Sequence, residues 1–166
     1  MNKNTYQTVA LEKGEMHIYD FGTVKLHAYQ TNDPLADEVF IVEKGGKAVV
    51  IESPCFFDNI RELTGYLQDM DVAGMLVAYH GAGASFLPGV RKYATRHAAD
   101  YTENGGGKNL IDGFTAAFGE SFDNTIHPIT DFIGEGRVTI GGIDFVIRRT
   151  AEAFDVEIPE VNAVYT

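Results

Sequence analysis

Alternation of apolar and polar residues dominates the first fifty positions of the chain. Residues 14–22 (GEMHIYDFG) and Val24–Thr31 (VKLHAYQT) show the alternation that suits half-buried strands. Two further runs rich in apolar residues, 37–42 and Lys47–Ile51, flank a turn with two glycines at 45–46. Two such runs around a Gly-Gly turn are typical of a β-hairpin. The pattern therefore predicts four strands, the last two of them paired.

A helix and a buried strand are predicted next. The apolar side chains of residues 56–70 recur with the spacing of one helical face, at Phe56, Ile60, Leu63 and Leu67. Residues 73–79 (AGMLVAY) are almost wholly apolar, as expected of a central strand that is covered on both faces. We therefore expect this helix to connect Lys47–Ile51 to a neighbouring strand of the same sheet and to pack on the outer face of that sheet.

The second half of the chain continues with short elements. Three glycines at 105–107 predict a flexible loop before a helix at 109–118. Strand-like runs occur at 91–95, 129–133, 137–140, 143–148 and 161–165. No internal repeat or linker divides the sequence. Strands, then strand-helix alternation, then strands again predict a mixed α/β fold with one domain over residues 1–166.

Composition narrows the class of protein and its partners. The chain has 166 residues, 45% of them apolar, and a formal net charge of −11. This charge argues against nucleic acid or an anionic membrane as a partner. The N-terminus has no secretory pattern, and no apolar run approaches the roughly 20 residues that span a bilayer, so a cytoplasmic location is expected by default. A single cysteine, Cys55, excludes an internal disulfide and a multi-cysteine zinc site.

The residues that could carry chemistry lie at the ends of two predicted strands. Glu52 follows Lys47–Ile51, and His80 follows the apolar strand at 73–79. Ligands and catalytic groups of α/β sheets collect beyond the carboxyl ends of strands. A histidine at a strand end is also commonly a structural residue that bonds a backbone carbonyl. Both interpretations of His80 stay open on position alone.

The hairpin, the acidic strand end, the helix and the strand that ends in Ala-Tyr-His resemble the metallo-β-lactamase superfamily. The resemblance covers roughly residues 15–166 and is clearest at 38–90. It implies an αββα sandwich and a metal-binding His-x-His-x-Asp-His motif. Aligned from its first histidine, the motif reads His80, Gly81, Ala82, Gly83, Ala84, Ser85. Only His80 matches, since two alanines and a serine replace the other three ligands.

The resemblance also predicts where further ligands would come from. The family takes another histidine from a later strand end, and the matching region here offers only carboxylates, Glu152 or Asp155. One imidazole and one carboxylate make a weak site, because a catalytic zinc needs about three protein ligands. The last elements of the family fold should follow the strand at 161–165, so the chain is expected to be an incomplete family domain, and the edge it exposes could be covered in a homo-oligomer.

Three functions remain open on this basis. The first hypothesis is a non-catalytic pseudoenzyme that binds a small molecule without a cofactor. Its candidate cleft comprises His80, Gly81, Ala82, Gly83, Ala84, Ser85, Glu52, Glu152 and Asp155. The second is a hydrolase of a small ester or thioester that uses zinc or another divalent metal in a rebuilt site, with His80 as its weak metal candidate. The third is an assembly or structural subunit.

Other motifs are weaker. Cys55, beside the start of the predicted helix, is interpreted as a buried, inert cysteine rather than an activated thiol. Ser85 lacks the Gly-x-Ser-x-Gly context of a nucleophile, and the glycines at 105–107 before Lys108 do not match a phosphate-binding loop. The remaining histidines have no ligand-like spacing and are predicted to be surface or structural residues: His17, His27, His97 and His127.

Overall fold

The computed structural model describes residues 5–166, which form two β-sheets and three α-helices. The large sheet contains β1 (Gln7–Ala10), β2 (Gly14–Asp20), β3 (Val24–Thr31), β4 (Glu38–Lys44), β5 (Lys47–Ile51), β6 (Asp71–Leu76), β7 (Lys92–Ala94) and β8 (Asp131–Phe132). The small sheet contains β9 (Gly136–Ile140), β10 (Ile143–Arg149), β11 (Phe154–Ile158) and β12 (Ala163–Tyr165). The helices are α1 (Phe57–Tyr66), α2 (Arg96–Asn104) and α3 (Gly106–Phe118). The predicted mixed α/β class is confirmed.

The large sheet follows the order of its strands along the chain. Strands β1 to β5 pair antiparallel, and β5 to β8 pair parallel. Gly45 and Gly46, with φ of 58° and 81°, form the turn between β4 and β5. Positive φ at both central residues is the requirement of a type I′ turn, which matches the twist of a hairpin. The predictions of this hairpin, and of β5 and β6 as neighbours in one sheet, are confirmed.

Helix α1 and the small sheet lie on opposite faces of the large sheet. On one face of β3, the Tyr29 hydroxyl donates a hydrogen bond to Glu62 of α1 at 2.8 Å. The other face of β3 carries Leu26, which lines a groove with Val161 and Ala163. The apolar side chains of both sheets and of α1 belong to one buried core. Helix, large sheet and small sheet therefore stack in the order that the sequence predicts.

Four parts of the structure differ from the sequence predictions. Helix α2 and strands β1 and β11 were not predicted, and the predicted flexible loop at 105–107 is wrong. Gly106 and Gly107 form the first turn of α3. A Cβ atom on Gly106 would lie 2.9 Å from the Tyr101 hydroxyl, and one on Gly107 would lie 3.0 Å from the Tyr101 ring. These glycines allow the start of α3 to lie close to α2.

The small sheet has a polar outer face and an apolar edge. Arg137 with Asp144, and Arg148 with Glu157, form ion pairs on that face. Strand β12 is the edge strand of the sheet, and Val164 is 47% exposed there. A homo-oligomer that covers this edge stays a prediction. Among residues 5–166, no helix has the length and apolar character to cross a membrane.

Candidate functional site

Three strands bring polar residues to one edge of the large sheet. Because β5 and β6 are parallel, their carboxyl ends meet there, followed by Glu52 and by His80. Strand β4 runs antiparallel to β5, with Phe40 opposite Ile51, so its start lies at the same edge. Asp37 immediately precedes β4. The β4–β5 hairpin therefore places the Asp37 carboxylate at the same sheet edge as Glu52 and His80, which lie far from it along the chain.

Asp37, Cys55 and His80 form a compact group, which we call the Asp37–Cys55–His80 cluster. One ligand-type atom from each residue lies within 4.8 Å of the other two. The Cys55 sulfur is 3.5 Å from His80 Nδ1 and 3.6 Å from Nε2. His80 Nε2 is 4.0 Å from Asp37 Oδ2. A sulfur in contact with both ring nitrogens at nearly equal distances lies over the imidazole face, away from either nitrogen lone pair.

Glu52 lies beside this cluster and is only 1% exposed. Its backbone has φ of 74°, an uncommon conformation for a residue other than glycine. One carboxylate oxygen accepts a hydrogen bond from the Tyr79 amide at 2.7 Å, whereas the other, Oε1, has no partner. Burial raises the pKa of Glu52 to about 7, against the opposing effect of His80. A substantial fraction of this side chain is therefore protonated at neutral pH.

Burial and the neighbouring carboxylates keep the Cys55 thiol neutral in the metal-free chain. Burial, and then the charges of Asp37 and Glu52, raise the pKa of Cys55 well above its usual range. Burial also raises the pKa of Asp37, while the neighbouring His80 lowers it. A nucleophilic cysteine needs a thiolate and an aligned base. Neither condition is met, so this arrangement is poorly suited to Cys–His nucleophilic catalysis.

A cavity of about 240 Å³ opens from the cluster. Asp37, Cys55 and His80 form part of its lining, and apolar side chains from α3 and the adjoining segments form much of the rest, among them Ile111, Phe114 and Phe122. Phe114 and Phe122 make an edge-to-face contact with 5.8 Å between ring centroids. The cavity is thus mainly apolar, with its few polar groups gathered at one end.

The glycines of the loop after β6 are packed closely against neighbouring segments. A Cβ atom on Gly81 would lie 2.4 Å from Thr102 of α2, and one on Gly83 would lie 2.4 Å from the Pro54 carbonyl oxygen. Gly83 also has φ of 89°. A side chain larger than hydrogen would therefore not fit at Gly81 or Gly83, although Gly81 and Ala82 of the predicted cleft do line the cavity.

The rest of the loop is held by hydrogen bonds. The Ser85 amide and hydroxyl both donate to Asp123 Oδ2, at 2.9 and 2.6 Å. The Ala84 amide donates to the Thr125 carbonyl at 3.2 Å. Ala82 forms an isolated β-bridge with Ile126 and is buried among apolar side chains. The Ser85 hydroxyl is thus directed to Asp123 rather than to His80.

Glu152 and Asp155 reach the cavity only through tyrosines that line it. The Tyr79 hydroxyl donates a hydrogen bond to Asp155. Desolvation and the nearby Glu152 carboxylate raise the pKa of Tyr101. Neither carboxylate belongs to the Asp37–Cys55–His80 cluster. The sequence prediction counted two possible metal ligands, His80 and one of these two carboxylates. It omitted Asp37 and Cys55, which lie beside His80 in the structure.

Sequence reasoning missed Asp37 and underestimated Cys55. The signal for Asp37 was present, because a predicted hairpin places the start of its first strand beside the end of its second. Cys55 follows Glu52 by three residues, so it had to lie near the same sheet edge. His127, predicted to be surface or structural, is 1% exposed, and its backbone amide donates to the Gly81 carbonyl at 2.8 Å.

Comparison with known proteins gives the fold a name. The chain matches no family model and no curated protein. The solved BLEG-1 B3 metallo-β-lactamase matches with a TM-score of 0.62 and 15% identity, over 85% of this chain and 69% of that one. The chain has the metallo-β-lactamase fold.

Two further solved structures extend this likeness. A β-lactamase domain protein from Burkholderia ambifaria matches with a TM-score of 0.57 and 16% identity, over 89% of this chain and 54% of that one. The apo chemotaxis sensor ODP from T. denticola matches with a TM-score of 0.54 and 7% identity, over 98% of this chain and 63% of that one. At such identities the likeness establishes the metallo-β-lactamase fold and leaves the activity open.

The residues present do not fit the dinuclear metal site that the metallo-β-lactamase motif implies. His80 is retained, but alanines stand at the second and third ligand positions, and Ser85 bonds Asp123. Ala82 is 1% exposed within an apolar cluster, and an alanine side chain has no lone pair to offer a metal. The loop after β6 is therefore a structural turn in this chain.

Proposed function

We propose that this chain is a small-molecule-binding protein that uses the metallo-β-lactamase fold without its dinuclear metal chemistry. The cavity beside the Asp37–Cys55–His80 cluster would be the binding site. The observation that carries the proposal is the pairing of a mainly apolar lining with a few polar groups at one end. Apolar burial supplies affinity in such sites, while a few convergent polar groups fix the orientation of the ligand.

The size of the cavity supports a compact ligand. An engineered cavity of about 150 Å³ takes up benzene, so about 240 Å³ has room for on the order of ten non-hydrogen atoms. Two larger grooves, of about 650 and 600 Å³, are open to solvent and more polar. We favour the smaller cavity because it is better enclosed and because it contains the cluster of unusual polar groups.

The charge at the polar end selects the kind of ligand. Asp37 lies in the cluster and Glu52 lies beside it, and both are buried or nearly so. A carboxylate ligand would meet these acidic groups in a poorly solvated place and be repelled. A neutral aromatic ring with one hydrogen-bond donor avoids this repulsion. Indole and phenol are therefore suitable probes, and benzoate is the matched anionic probe that we expect to bind weakly.

The experiment is a titration of each probe, followed by amide chemical shifts of the isotopically labelled chain. In the chelator-treated chain, we expect indole or phenol to shift resonances around the cavity, and benzoate to have a much weaker effect. Phe114→Ala removes part of the apolar lining and should weaken indole binding at least about fivefold, equivalent to about 1 kcal/mol.

The control is Phe21→Ala, which removes a 40% exposed phenylalanine from the groove at β12. This variant should leave indole binding unchanged. A Phe21→Ala variant that weakened binding more than Phe114→Ala would place the ligand in that groove instead. Failure of indole and phenol to shift any cavity resonance at millimolar concentration would refute the proposed site.

A second candidate function is metal-dependent hydrolysis of a small ester or thioester. One observation favours it, because the Asp37–Cys55–His80 cluster offers three ligand atoms and a catalytic zinc requires about three plus an open position. The test is turnover of a chromogenic acetate ester by the zinc-loaded chain, with Cys55→Ser as the comparison. Equal rates in the two proteins would exclude the cluster as the site of this activity.

A further inference from the structure

We infer that Asp37, Cys55 and His80 form a binding site for one divalent transition-metal ion, with zinc as the best match. This site goes beyond the proposed binding of an organic ligand and does not depend on it. It shares only His80 with the metal-binding motif of the metallo-β-lactamases. Its other two ligands come from the start of β4 and from the segment between β5 and α1.

The first support is the spacing of the three ligand atoms. Zinc lies about 2.3 Å from a sulfur and about 2.0–2.2 Å from a nitrogen or oxygen, so tetrahedral ligand atoms are about 3.4–3.6 Å apart. The sulfur of Cys55 is 3.6 Å from His80 Nε2, and this nitrogen is 4.0 Å from Asp37 Oδ2. Both distances are close to these separations, and one ligand atom of each of the three residues lies within 4.8 Å of the other two.

A rotation of the His80 ring completes the geometry. The Cys55 sulfur lies over the imidazole face, while a metal ion binds a histidine nitrogen in the plane of the ring. Turning the ring about its Cβ–Cγ bond brings the Nε2 lone pair toward the other two ligands. This torsion has broad energy wells, so the turn costs little. His80 is 28% exposed at its side chain, which leaves room for the movement.

The second support is the set of buried oxygens without partners. Asp37 Oδ2 and Glu52 Oε1 are both inaccessible to solvent, and neither has a protein donor in hydrogen-bonding geometry among the described residues. Glu52 itself is 1% exposed, and its charge acts on both Cys55 and His80. Buried polar atoms normally have partners, and unpaired ones carry a substantial free-energy cost. A cation bound between Asp37, Cys55 and His80 would bond the first oxygen and place a positive charge close to the second.

The ligand types select the ion. Sulfur and imidazole ligands favour zinc and neighbouring transition metals over magnesium and calcium, which prefer oxygen alone. Three protein ligands would leave the fourth position of a tetrahedral ion open. The thiol of Cys55 must release its proton to solvent when the ion binds. The carboxylate and the thiolate then balance the two positive charges of the metal.

The experiment is a titration of the chelator-treated full chain with cobalt(II), followed by optical absorption. Cobalt is a spectroscopic substitute for zinc, and a thiolate ligand gives it a charge-transfer band in the near ultraviolet. Cys55 is the only cysteine of the chain, so this band can come from no other residue. We expect one cobalt per chain, visible bands typical of tetrahedral coordination, and displacement of the cobalt by zinc.

Three variants test the ligands, and each variant removes one of them. Cys55→Ser should abolish the charge-transfer band, and Asp37→Asn and His80→Ala should each weaken metal binding at least about tenfold. His17→Ala, which removes a partly exposed histidine outside the cluster, should bind like the parent. Circular dichroism of each metal-free variant establishes that it is folded. The inference would be overturned if the folded parent chain bound no stoichiometric cobalt. It would also be overturned if the folded Cys55→Ser and His80→Ala variants bound cobalt as tightly as the parent.

Discussion

The two sides of His80 are built in opposite ways. After it, the loop at 81–85 is tightly packed, with Gly81 and Gly83 against neighbouring segments and Ser85 bonded to Asp123. Beside it, Asp37 and Glu52 bring buried oxygens that have no partner. In metallo-β-lactamases the motif loop supplies the metal ligands. Here that loop has the character of a folding element, and the buried carboxylate oxygens without partners lie across from it. The loop side has its own unpartnered group, the ring of His127, whose backbone amide bonds Gly81.

This difference separates residues that maintain the fold from residues available for binding. A fully bonded, closely packed segment loses stability when it is changed, because each contact has been optimised for the folded state. A group with unpaired polar atoms adds little stability or even reduces it. Such groups are commonly associated with function. We therefore expect substitutions on the two sides of His80 to affect stability by very different amounts.

The largest effect should come from Gly83→Ala. The new Cβ would lie 2.4 Å from the Pro54 carbonyl oxygen, at a φ of 89° that side chains other than glycine rarely adopt. Strain and overlap together should cost about 4 kcal/mol in free energy of unfolding, measured by urea denaturation. Gly22→Ala is the control, since its φ of 91° is similar but its Cβ meets nothing within 4 Å. It should cost only about 1–2 kcal/mol; equal costs would mean that the loop is not tightly packed.

A pH-dependent effect should follow from Glu52→Gln. The unfolded chain loses this proton near pH 4.5, whereas the folded chain keeps it to about pH 7. The folded state therefore binds more protons between these values, and stability falls as the pH rises through this window. The loss amounts to about 3 kcal/mol at 1.36 kcal/mol per pH unit.

Glu52→Gln should remove this fall while leaving the other titrating groups in place. The measurement is urea denaturation of both proteins at pH 5 and pH 8. Glu12→Gln, at an exposed position, should keep the pH dependence of the parent. A Glu52→Gln variant with the same loss of stability between the two pH values as the parent would contradict the assignment of a buried, protonated Glu52.

The hydrogen bonds of the loop are tested by Asp123→Asn. Burial would raise the pKa of Asp123, but hydrogen bonds from Ser85 and Thr125 outweigh it and lower the pKa. The asparagine amide would face donors instead of accepting from them, which should cost about 2 kcal/mol in a thermal or urea denaturation measurement. Asp144→Asn, which alters an exposed ion pair with Arg137, should cost below about 1 kcal/mol. Similar losses of stability in both variants would mean that the hydrogen bonds of this loop contribute no more than an exposed ion pair does.

The smallest effect should come from Asp37→Asn in the metal-free chain. Burial disfavours the charged form of Asp37, so removal of the charge should leave stability unchanged or raise it by less than about 1 kcal/mol. Differential scanning calorimetry of the chelator-treated proteins measures this directly. A loss of more than about 2 kcal/mol would mean that Asp37 maintains the fold instead of being available for binding.

Much of the fold could be predicted because local patterns agree with the final structure. Two strands were predicted with the correct bounds. Apolar residues alternate with polar ones in Val24–Thr31 and are consecutive in Lys47–Ile51, as their places in the sheet require. Helix α2 was missed because only Ala98 and Thr102 are buried, so it has almost no apolar stripe. Its one signal was Thr95, whose side chain accepts a hydrogen bond from the Ala98 amide as an N-cap.

The candidate site was harder to predict than the fold. The loss of metal ligands at Ala82 and Ala84 could be seen in the sequence. The position of Asp37 depends on the pairing of β4 with β5, and the role of the loop glycines depends on contacts with Thr102 and Pro54. Contacts between segments that are distant along the chain leave no local pattern. The same residue types can therefore mark an open cleft or a closely packed turn.

We assign the polar centre of this site to the Asp37–Cys55–His80 cluster rather than to the loop that follows β6. The most direct test is the X-ray absorption spectrum of the zinc-loaded chain at the zinc edge. We predict one sulfur at about 2.3 Å, with the remaining ligands nitrogen or oxygen at about 2.0–2.2 Å. A first shell of nitrogen and oxygen alone, or zinc that does not stay with the folded chain through dialysis, would contradict the account.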